Sequence, residues 1–243
     1  MIVGAALLLS ASGPKAPPAH IRSIGIIAAL GDTCMFEQIP DTRFDWLLPP
    51  KAKFLEIADW GIDDEIIRSI DNLLGPHYKM QTIAIEHQDF DSWTYDSIGR
   101  HIRELPIPET PVDAYLLVLR DWRHDAIGGT NHQVGGLGFY RRDRDGHAGR
   151  FGVFASYRLV LVDADSGRLI ASRPANIPHD RLPWLTTGAS VWPRTPNDLT
   201  PAGKTELLAD FNRLIAETLP TTLGSLGLVT RDRRGHMDTS TGK

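Results

Sequence analysis

The chain has 243 residues, of which 42% are hydrophobic and 23% charged, and its formal net charge is −4. These values are typical of a globular protein and exclude disorder as the main state. The charge provides no bulk positive field for nucleic acid or an anionic membrane. The single cysteine, Cys34, excludes an intrachain disulfide and a cysteine-based metal site.

The N-terminal segment has the pattern of an export signal. Residues 2–9 are an almost unbroken apolar run, too short to span a bilayer, and small residues and a proline-rich linker follow it. We therefore predict a signal and linker over 1–20, a single domain over 21–229 and a disordered tail over 230–243. No Lys or Arg precedes the apolar run, so either the true start lies upstream or the run is a strand. We expect a periplasmic or secreted protein, with a cytoplasmic one as the alternative.

The first part of the domain predicts strands and then a helix. The β-prone segments 23–30 and 33–39 flank Gly31-Asp32, which is typical of a two-residue turn, so a hairpin is expected. A helix follows with Asp63 as its cap and with Ile62 packing against Ile67. Its apolar residues recur at helical spacing until Gly75-Pro76 ends it.

The middle of the chain alternates between strand and helix patterns. We predict a strand over 78–86 and a helix that starts at residues 91–92. The apolar segment 112–119 predicts a strand buried on both faces, in the middle of a sheet. The stretch 120–138, rich in Gly, His and charge, is predicted to be a loop or a loose hairpin.

The last third of the domain contains the clearest β pattern. Residues 151–162 predict a long strand, and the turn 163–167 returns it into a second strand. Residues 174–196 read as irregular, and the closing helix is expected to run from Thr200 to Pro220. Strands outnumber helices and often follow one another. The fold class is therefore α/β of the α+β type, a mixed, largely antiparallel sheet with about three helices packed on it.

The common catalytic motifs are missing. The glycine-dense stretch 135–138 has no phosphate-loop lysine and opens no helix, so we interpret it as a structural turn. No Gly-x-Ser-x-Gly elbow occurs. Cys34 has no local cation or helix end to lower the pKa of its thiol, so a buried, unreactive thiol is expected. We predict no catalytic residue and no cofactor.

One stretch offers an alternative with metal chemistry. His124, Asp125 and His132 follow the predicted central strand. They could act together as ligands of a divalent metal ion if the glycines between them allow the loop to fold back on itself. With Asp121, which sits at a strand end where catalytic groups often project, they form the hypothesis of a metal-assisted hydrolase.

The same region predicts a contact surface instead. Arginines and aromatic side chains alternate there, and this combination is enriched at the energetic centres of protein interfaces. The residues predicted to form the surface are Arg120, Asp121, Trp122, Arg123, His124, Tyr140, Arg141 and Arg142.

The second hairpin resembles one found in bacterial cell-envelope lipoproteins. Residues 157–172 read Tyr-Arg-Leu-Val-Leu-Val-Asp-Ala-Asp-Ser-Gly-Arg-Leu-Ile-Ala-Ser. This is similar to the strand, Asp-x-x-Ser/Thr-Gly turn and strand of the curli-secretion lipoprotein and of the activators of penicillin-binding proteins. The order of elements is similar too, including a buried strand that reads Asp-Ala-Tyr-Leu-Leu-Val. The resemblance implies a periplasmic α/β domain that binds partners and catalyses nothing. The lipobox cysteine of those proteins is missing here.

Three functional hypotheses follow. The first is a non-enzymatic cell-envelope protein that acts by contact with other envelope proteins, without nucleic acid or an integral membrane span. The sequence is also compatible with a homo-oligomer. The second is the metal-assisted hydrolase, and the third is a cytosolic domain that binds a small ligand near the end of the 112–119 strand.

Overall fold

The computed structural model describes residues 20–39, 53–84, 97–104, 110–124, 133–144, 147–175, 182–187, 193 and 195–229. The strands in these ranges are β1 (Ser23–Ala29), β2 (Thr33–Ile39), β3 (Lys53–Glu56), β4 (Lys79–Thr82), β5 (Ala114–Arg120), β6 (Arg123–His124), β7 (Gln133–Val134), β8 (Gly136–Arg144), β9 (His147–Asp163), β10 (Leu169–Pro174) and β11 (Trp184–Thr187). The helices are α1 (Ile62–Leu74), α2 (Ile98–Glu104) and α3 (Pro201–Ser225), with short 3-10 turns at Ala58–Trp60 and Pro196–Asp198.

The large sheet has the strand order β3-β2-β8-β9-β5-β1-β4, and β10 and β11 pair with β9 as well. The pairs β1–β4, β1–β5 and β2–β8 are parallel, while the others in this sheet are antiparallel. The predicted fold class, a mixed and largely antiparallel sheet with helices packed on it, is confirmed. Strands β6 and β7 form a separate small ribbon.

The long strand β9 joins two halves of the sheet end to end. Its first half pairs with β8 and β11, and its second half pairs with β5 and β10. Strand β5 ends opposite Tyr157 and β8 begins opposite Ser156, so one strand takes over from the other along the same side of β9. We call the place where this happens the seam.

The expected hairpin of β1 and β2 is wrong. Strand β1 pairs with β4 and β5, whereas β2 pairs with β3 and β8. Both β5 and β8 run antiparallel to β9, and β1 and β2 run parallel to them, so the chain continues in one direction through Gly31-Asp32. It crosses the seam there instead of reversing. Turn chemistry in a sequence shows a bend, but the partners of the flanking strands decide its direction.

Helix α1 begins two residues earlier than predicted, and Asp63 does not cap it. Gly61, in the left-handed region at φ 67°, precedes the helix and provides no side-chain cap. The Asp63 carboxylate instead accepts hydrogen bonds from the backbone N–H groups of Leu30 and Gly31, both at 3.0 Å. It therefore fixes the bend between β1 and β2 to the start of α1. The predicted end of the helix before Gly75 is confirmed.

Helix α3, in contrast, begins as predicted, but it ends later than predicted. The Thr200 side chain accepts a hydrogen bond from Gly203 N–H at 3.1 Å, and Pro201 opens the helix. The expected end at Pro220 is wrong, because the helix continues to Ser225. Pro220 lies on the exposed face, where water can satisfy the carbonyl group that its missing N–H leaves open. Leu219 and Leu223 on either side are buried and hold the last turns against the sheet.

The two faces of the sheet carry different cores. One face packs against α1 and α3 through buried side chains that include Ile66, Phe211 and Leu214. On the opposite face, α2 covers β1, β5 and β9 with Ile98 and Ile102. The buried strand predicted over 112–119 is confirmed, since β5 lies between β1 and β9 and is buried along almost its whole length. Cys34 is fully buried, as predicted.

For residues 120–138, the predicted alternative of a loose hairpin is present as the ribbon of β6 and β7. The end of this stretch belongs to β8, and part of the 174–196 stretch, which was predicted to be irregular, is β11. Both pair with the first half of β9. The glycines and charged residues of β8 carry little strand propensity, which tertiary pairing with β9 outweighs.

Candidate functional site

The seam brings residues 120–123 together with β9. Here the chain leaves the sheet after β5 and returns to it at β8, so the side chains at the end of β5 meet those of β9 and of the β8 start. Two hydrogen bonds fix the exit point: the backbone N–H of Asp121 donates to Ser156 O at 3.0 Å, and the side-chain hydroxyl of Ser156 donates to Asp121 O at 2.7 Å. Half of the predicted contact surface therefore lies at the seam.

Asp121 is the buried centre of an ion-pair network. Only 7% of the residue is exposed, and its carboxylate accepts hydrogen bonds from Arg123 Nε at 3.1 Å and Arg158 Nε at 2.8 Å. Burial raises the pKa of Asp121, and the neighbouring Arg123 guanidinium opposes that rise in part. Burial also lowers the pKa of Arg158. A carboxylate held by two guanidinium groups is positioned for pairing rather than for taking a proton from a substrate.

The two arginines also tie this network to the strand on the other side of β9. Arg123 Nη2 donates to Ala175 O at 3.2 Å, and Arg158 Nη1 lies 3.4 Å from Ser172 Oγ. Ala175 N–H in turn donates to Tyr157 O at 2.7 Å. The cluster therefore spans the seam and links the end of β5 to the end of β10.

Trp122 is exposed and yet fixed in place. Its exposed fraction is 39%, and its ring lies so close to Gly135 that a β-carbon there would be 2.6 Å away. The Arg120 guanidinium carbon lies 5.7 Å from the ring centroid, within the range of a cation–π contact. Arg120 is held in turn by a hydrogen bond to Thr33 Oγ1 at 2.5 Å, just after the bend between β1 and β2.

Glycine is required where Arg120 crosses β8. Gly136 has φ +69°, in the left-handed region, and a β-carbon there would lie 2.7 Å from Arg120 Nε. The stretch 135–138, interpreted as a turn, is thus the start of β8. The side chains of Trp122 and Arg120 pack directly against the backbone of the first two glycines of this stretch.

The rest of the predicted surface lies further along the sheet. Tyr140 is buried, with 6% of its surface exposed, and its ring lies on Gly152. The Arg141 guanidinium carbon lies 5.7 Å from the Phe151 ring centroid. Arg142 pairs in register with Arg150. Tyr140 is four residues beyond Gly136, about 13 Å along a strand. The predicted surface therefore divides into two parts, residues 120–123 at the seam and residues 140–142 further along β8.

The residues of the metal hypothesis are only partly described. His124 lies in β6, in register with Gln133, while Asp125 and His132 lie outside the described residues. Within the described ranges, no three His, Cys, Asp or Glu side chains group as metal ligands. The hydrolase hypothesis stays a prediction.

Two residues of the seam were missed by the sequence reading. Arg158 interrupts an otherwise apolar strand, and a charged residue in such a run is a signal that a buried partner exists. Thr33 gave no such signal, because its contact with Arg120 joins residues 87 positions apart. Trp184, read as part of an irregular segment, lies in β11 beside Tyr140 with its ring centroid 6.5 Å away.

Comparisons with known proteins find little. No family model matches the sequence, and no curated protein matches it either. Among solved structures, a protein from Xanthomonas campestris described under the family model DUF330 aligns with a TM-score of 0.39 and 10% identity, over 88% of this chain and 94% of that one. A hypothetical protein from Chlamydia trachomatis aligns with a TM-score of 0.31 and 10% identity, over 84% and 98%. These TM-scores are too low to establish a shared fold or function.

The helices give one further finding. Across the described ranges, none of them combines the length and the apolar character that crossing a bilayer requires.

Proposed function

We propose that this protein is a non-enzymatic component of the bacterial cell envelope that acts by binding another protein, with Trp122 at the centre of the contact. One observation carries the proposal: Trp122 is exposed, but Gly135 beneath it and Arg120 beside it hold its ring in place. Tryptophan and arginine are enriched at the energetic centres of interfaces.

A fixed aromatic ring suits binding for an energetic reason. Ordering a side chain at an interface costs about 0.5–1.5 kcal/mol. Much of this cost is already met for Trp122, because the fold limits where its ring can go. Arg120 is similarly restrained by Thr33. The surface is therefore preorganised for a partner.

The surrounding charges support binding rather than acid–base chemistry. Asp121, the acid nearest to Trp122 in sequence, is engaged by two arginines. The thiol of Cys34 is buried, and burial raises its pKa, which opposes formation of a thiolate nucleophile. The envelope location rests on the signal-like pattern of the first twenty residues and on the resemblance of the 157–172 hairpin.

A crosslinking experiment in the native host tests the proposal. A photoreactive phenylalanine analogue replaces Trp122 in the full-length protein, and a matched variant carries it at Arg213, an exposed position on α3. We expect a discrete adduct with one protein of the envelope fraction from position 122 and none from 213. The absence of an adduct at 122 in a folded protein would refute the proposal, as would finding the mature protein in the cytoplasm.

Metal analysis of the purified protein separates this proposal from the hydrolase. A stoichiometric divalent ion that is lost on His124→Ala would favour the enzyme. Protein without bound metal that still gives the adduct at position 122 would favour the binding role.

A further inference from the structure

Among the described residues, β4 is the last strand in the order of the large sheet, at the end away from β3. In the part of the chain that the structure describes, β4 pairs with β1 alone, in parallel register from Ser23↔Lys79 to Ile26↔Thr82. Lys79 N–H donates to Arg22 O and Ile83 N–H to Ile26 O, both at 2.9 Å. Successive residues of a strand direct their backbone groups to opposite sides. Met80 and Thr82 therefore direct their N–H and C=O groups away from β1.

A groove accompanies this edge on each face of the sheet. The groove on the α2 face has a volume of about 470 Å³, and that on the α1 face about 210 Å³. Met80 and Gln81 line both grooves. A strand added beside β4 would point its side chains alternately into the two grooves.

The two grooves differ in charge. The α2-face groove contains Arg22 and Lys79, and the structure gives neither of these side chains an ion pair among the described residues. The α1-face groove contains Asp64 and Asp71, together with Arg68, which pairs with Glu65. Acidic side chains are therefore favoured on one side of an added strand and disfavoured on the other.

We propose that the β4 edge binds an extended peptide segment of a partner protein, in which acidic residues alternate with apolar ones. The peptide adds to the sheet as a strand through the outward groups of Met80 and Thr82. Its acidic side chains face Arg22 and Lys79, and its apolar side chains lie beside Met80 on the α1 face. This site is independent of the Trp122 contact.

A second copy of this chain is a less suitable occupant. Strand β4 has the sequence Lys-Met-Gln-Thr, so a second copy paired along this edge offers no carboxylate from its own β4 to face Arg22 and Lys79. A partner segment with acidic side chains complements these two cations better.

The experiment measures binding of a labelled, acetylated octapeptide of alternating Glu and Val to the full-length protein by fluorescence anisotropy. A peptide of the same composition with four Glu followed by four Val tests order, and an alternating Lys and Val peptide tests charge. We expect only the alternating acidic peptide to bind, more weakly as salt increases.

Two pairs of variants locate the site. Thr82→Pro removes one outward N–H but leaves the bonds to β1, since proline is tolerated on the open side of an edge strand; Thr82→Ala keeps that N–H. We expect Thr82→Pro to weaken binding about tenfold or more and Thr82→Ala to leave it unchanged. Reversing charge with Arg22→Glu and Lys79→Glu should abolish binding, whereas Arg213→Glu should not.

The proposal is overturned if the peptide with four Glu and four Val in blocks binds equally well, or if the alternating acidic peptide fails to bind. It is overturned as well if sedimentation shows a dimer that Thr82→Pro dissociates, since the edge would then pair two copies. Should Thr82→Pro fail to fold, the charge-reversal pair decides the result, because Arg22 and Lys79 make no side-chain ion pair among the described residues. These outcomes do not depend on the crosslinking at position 122.

Discussion

The ring of Phe154 on β9 lies directly over Gly138 on β8, so close that a β-carbon at position 138 would be 2.1 Å from Phe154 Cζ. The two residues are opposite each other in the antiparallel pair, and Met35 and Trp184 extend the same row on either side. Glycine at position 138 thus leaves room for the outer end of the Phe154 ring. This part of the face, unlike the region under α2, is packed by a small cluster of Met35, Val134, Tyr140, Phe154 and Leu182.

Gly138→Ala should therefore destabilise the protein. The added methyl group has no space unless Phe154 moves, and overpacking of this kind costs about 1–3 kcal/mol. Gly224→Ala is the matched control, because its β-carbon would meet nothing nearer than 3.9 Å and alanine favours the helix. Urea unfolding should show a lower free energy of unfolding for the first variant and an equal or higher one for the second. Equal effects would disprove this account of Gly138.

Asp121→Asn should destabilise the protein by about 1–3 kcal/mol. The substitution keeps the size of the side chain but leaves the guanidinium groups of Arg123 and Arg158 beside each other without their shared anion. Both arginines are partly exposed, so the cost is below that of a fully buried pair. The measurement is the urea unfolding curve, with Glu217→Gln in an exposed pair of α3 as the control.

A double variant tests whether the unpaired arginines cause the loss of stability in Asp121→Asn. Adding Arg158→Met to Asp121→Asn removes one of the two facing cations and should recover part of the lost stability. Additive losses in the double variant would show that the two residues do not interact.

Asp113 should make the protein sensitive to acid. The carboxylate of Asp113 accepts a hydrogen bond from the backbone N–H of Arg22 at 2.8 Å, and this bond is the main reason that its pKa is lowered. Hydrogen bonds from the hydroxyl and the backbone N–H of Ser23 lower the pKa of Asp113 further. A carboxyl whose pKa is lower in the folded state stabilises the fold above its unfolded pKa, and this contribution is lost as pH falls below about 4.

The Asp113→Asn variant isolates this effect. It should be less stable than the parent protein near neutral pH, and the difference in urea midpoint between the two should shrink as the pH falls below about 4. Other acidic groups, including Asp163, are common to both proteins and cancel in the comparison. Parallel curves across this pH range would contradict the role given to Asp113.

Trp122→Ala should reduce partner binding by more than its effect on stability explains. The residue is 39% exposed and its ring packs on Gly135 and beside Arg120, so the free energy of unfolding should fall as well. Truncation of an interface tryptophan costs at least about 2 kcal/mol at an energetic centre, more than a tenfold loss of affinity. Once the partner is known from crosslinking, calorimetry measures both quantities. Gly135→Ala, which displaces the same ring, should weaken binding in the same direction.

Many local elements could be predicted from the sequence. The buried strand after Val112, the hairpin at Ser166 and the cap at Thr200 depend on patterns within a few residues, and each is present. The prediction of a hairpin at Gly31 was wrong, because a glycine and an aspartate permit a bend whether or not the chain reverses. The prediction that α3 ends at Pro220 was wrong for a similar reason, since a proline ends a helix only where the lost hydrogen bond cannot be replaced.

The candidate site was predicted in part. The sequence placed Arg120, Asp121 and Trp122 at the end of a central strand, and they do lie there. It did not show that Asp121 pairs with Arg158, since 37 residues separate them along the chain.

By itself, the sequence determined which segments are apolar, where the buried strand β5 and the main helices lie and what fold class results, because these depend on neighbouring side chains and backbone propensity. The tertiary structure decided the rest: that β9 serves two half-sheets, that the bend after Leu30 continues the chain, and that Trp122 is exposed but fixed. Those outcomes depend on contacts between residues far apart in the chain, which become favourable only when the whole sheet has assembled.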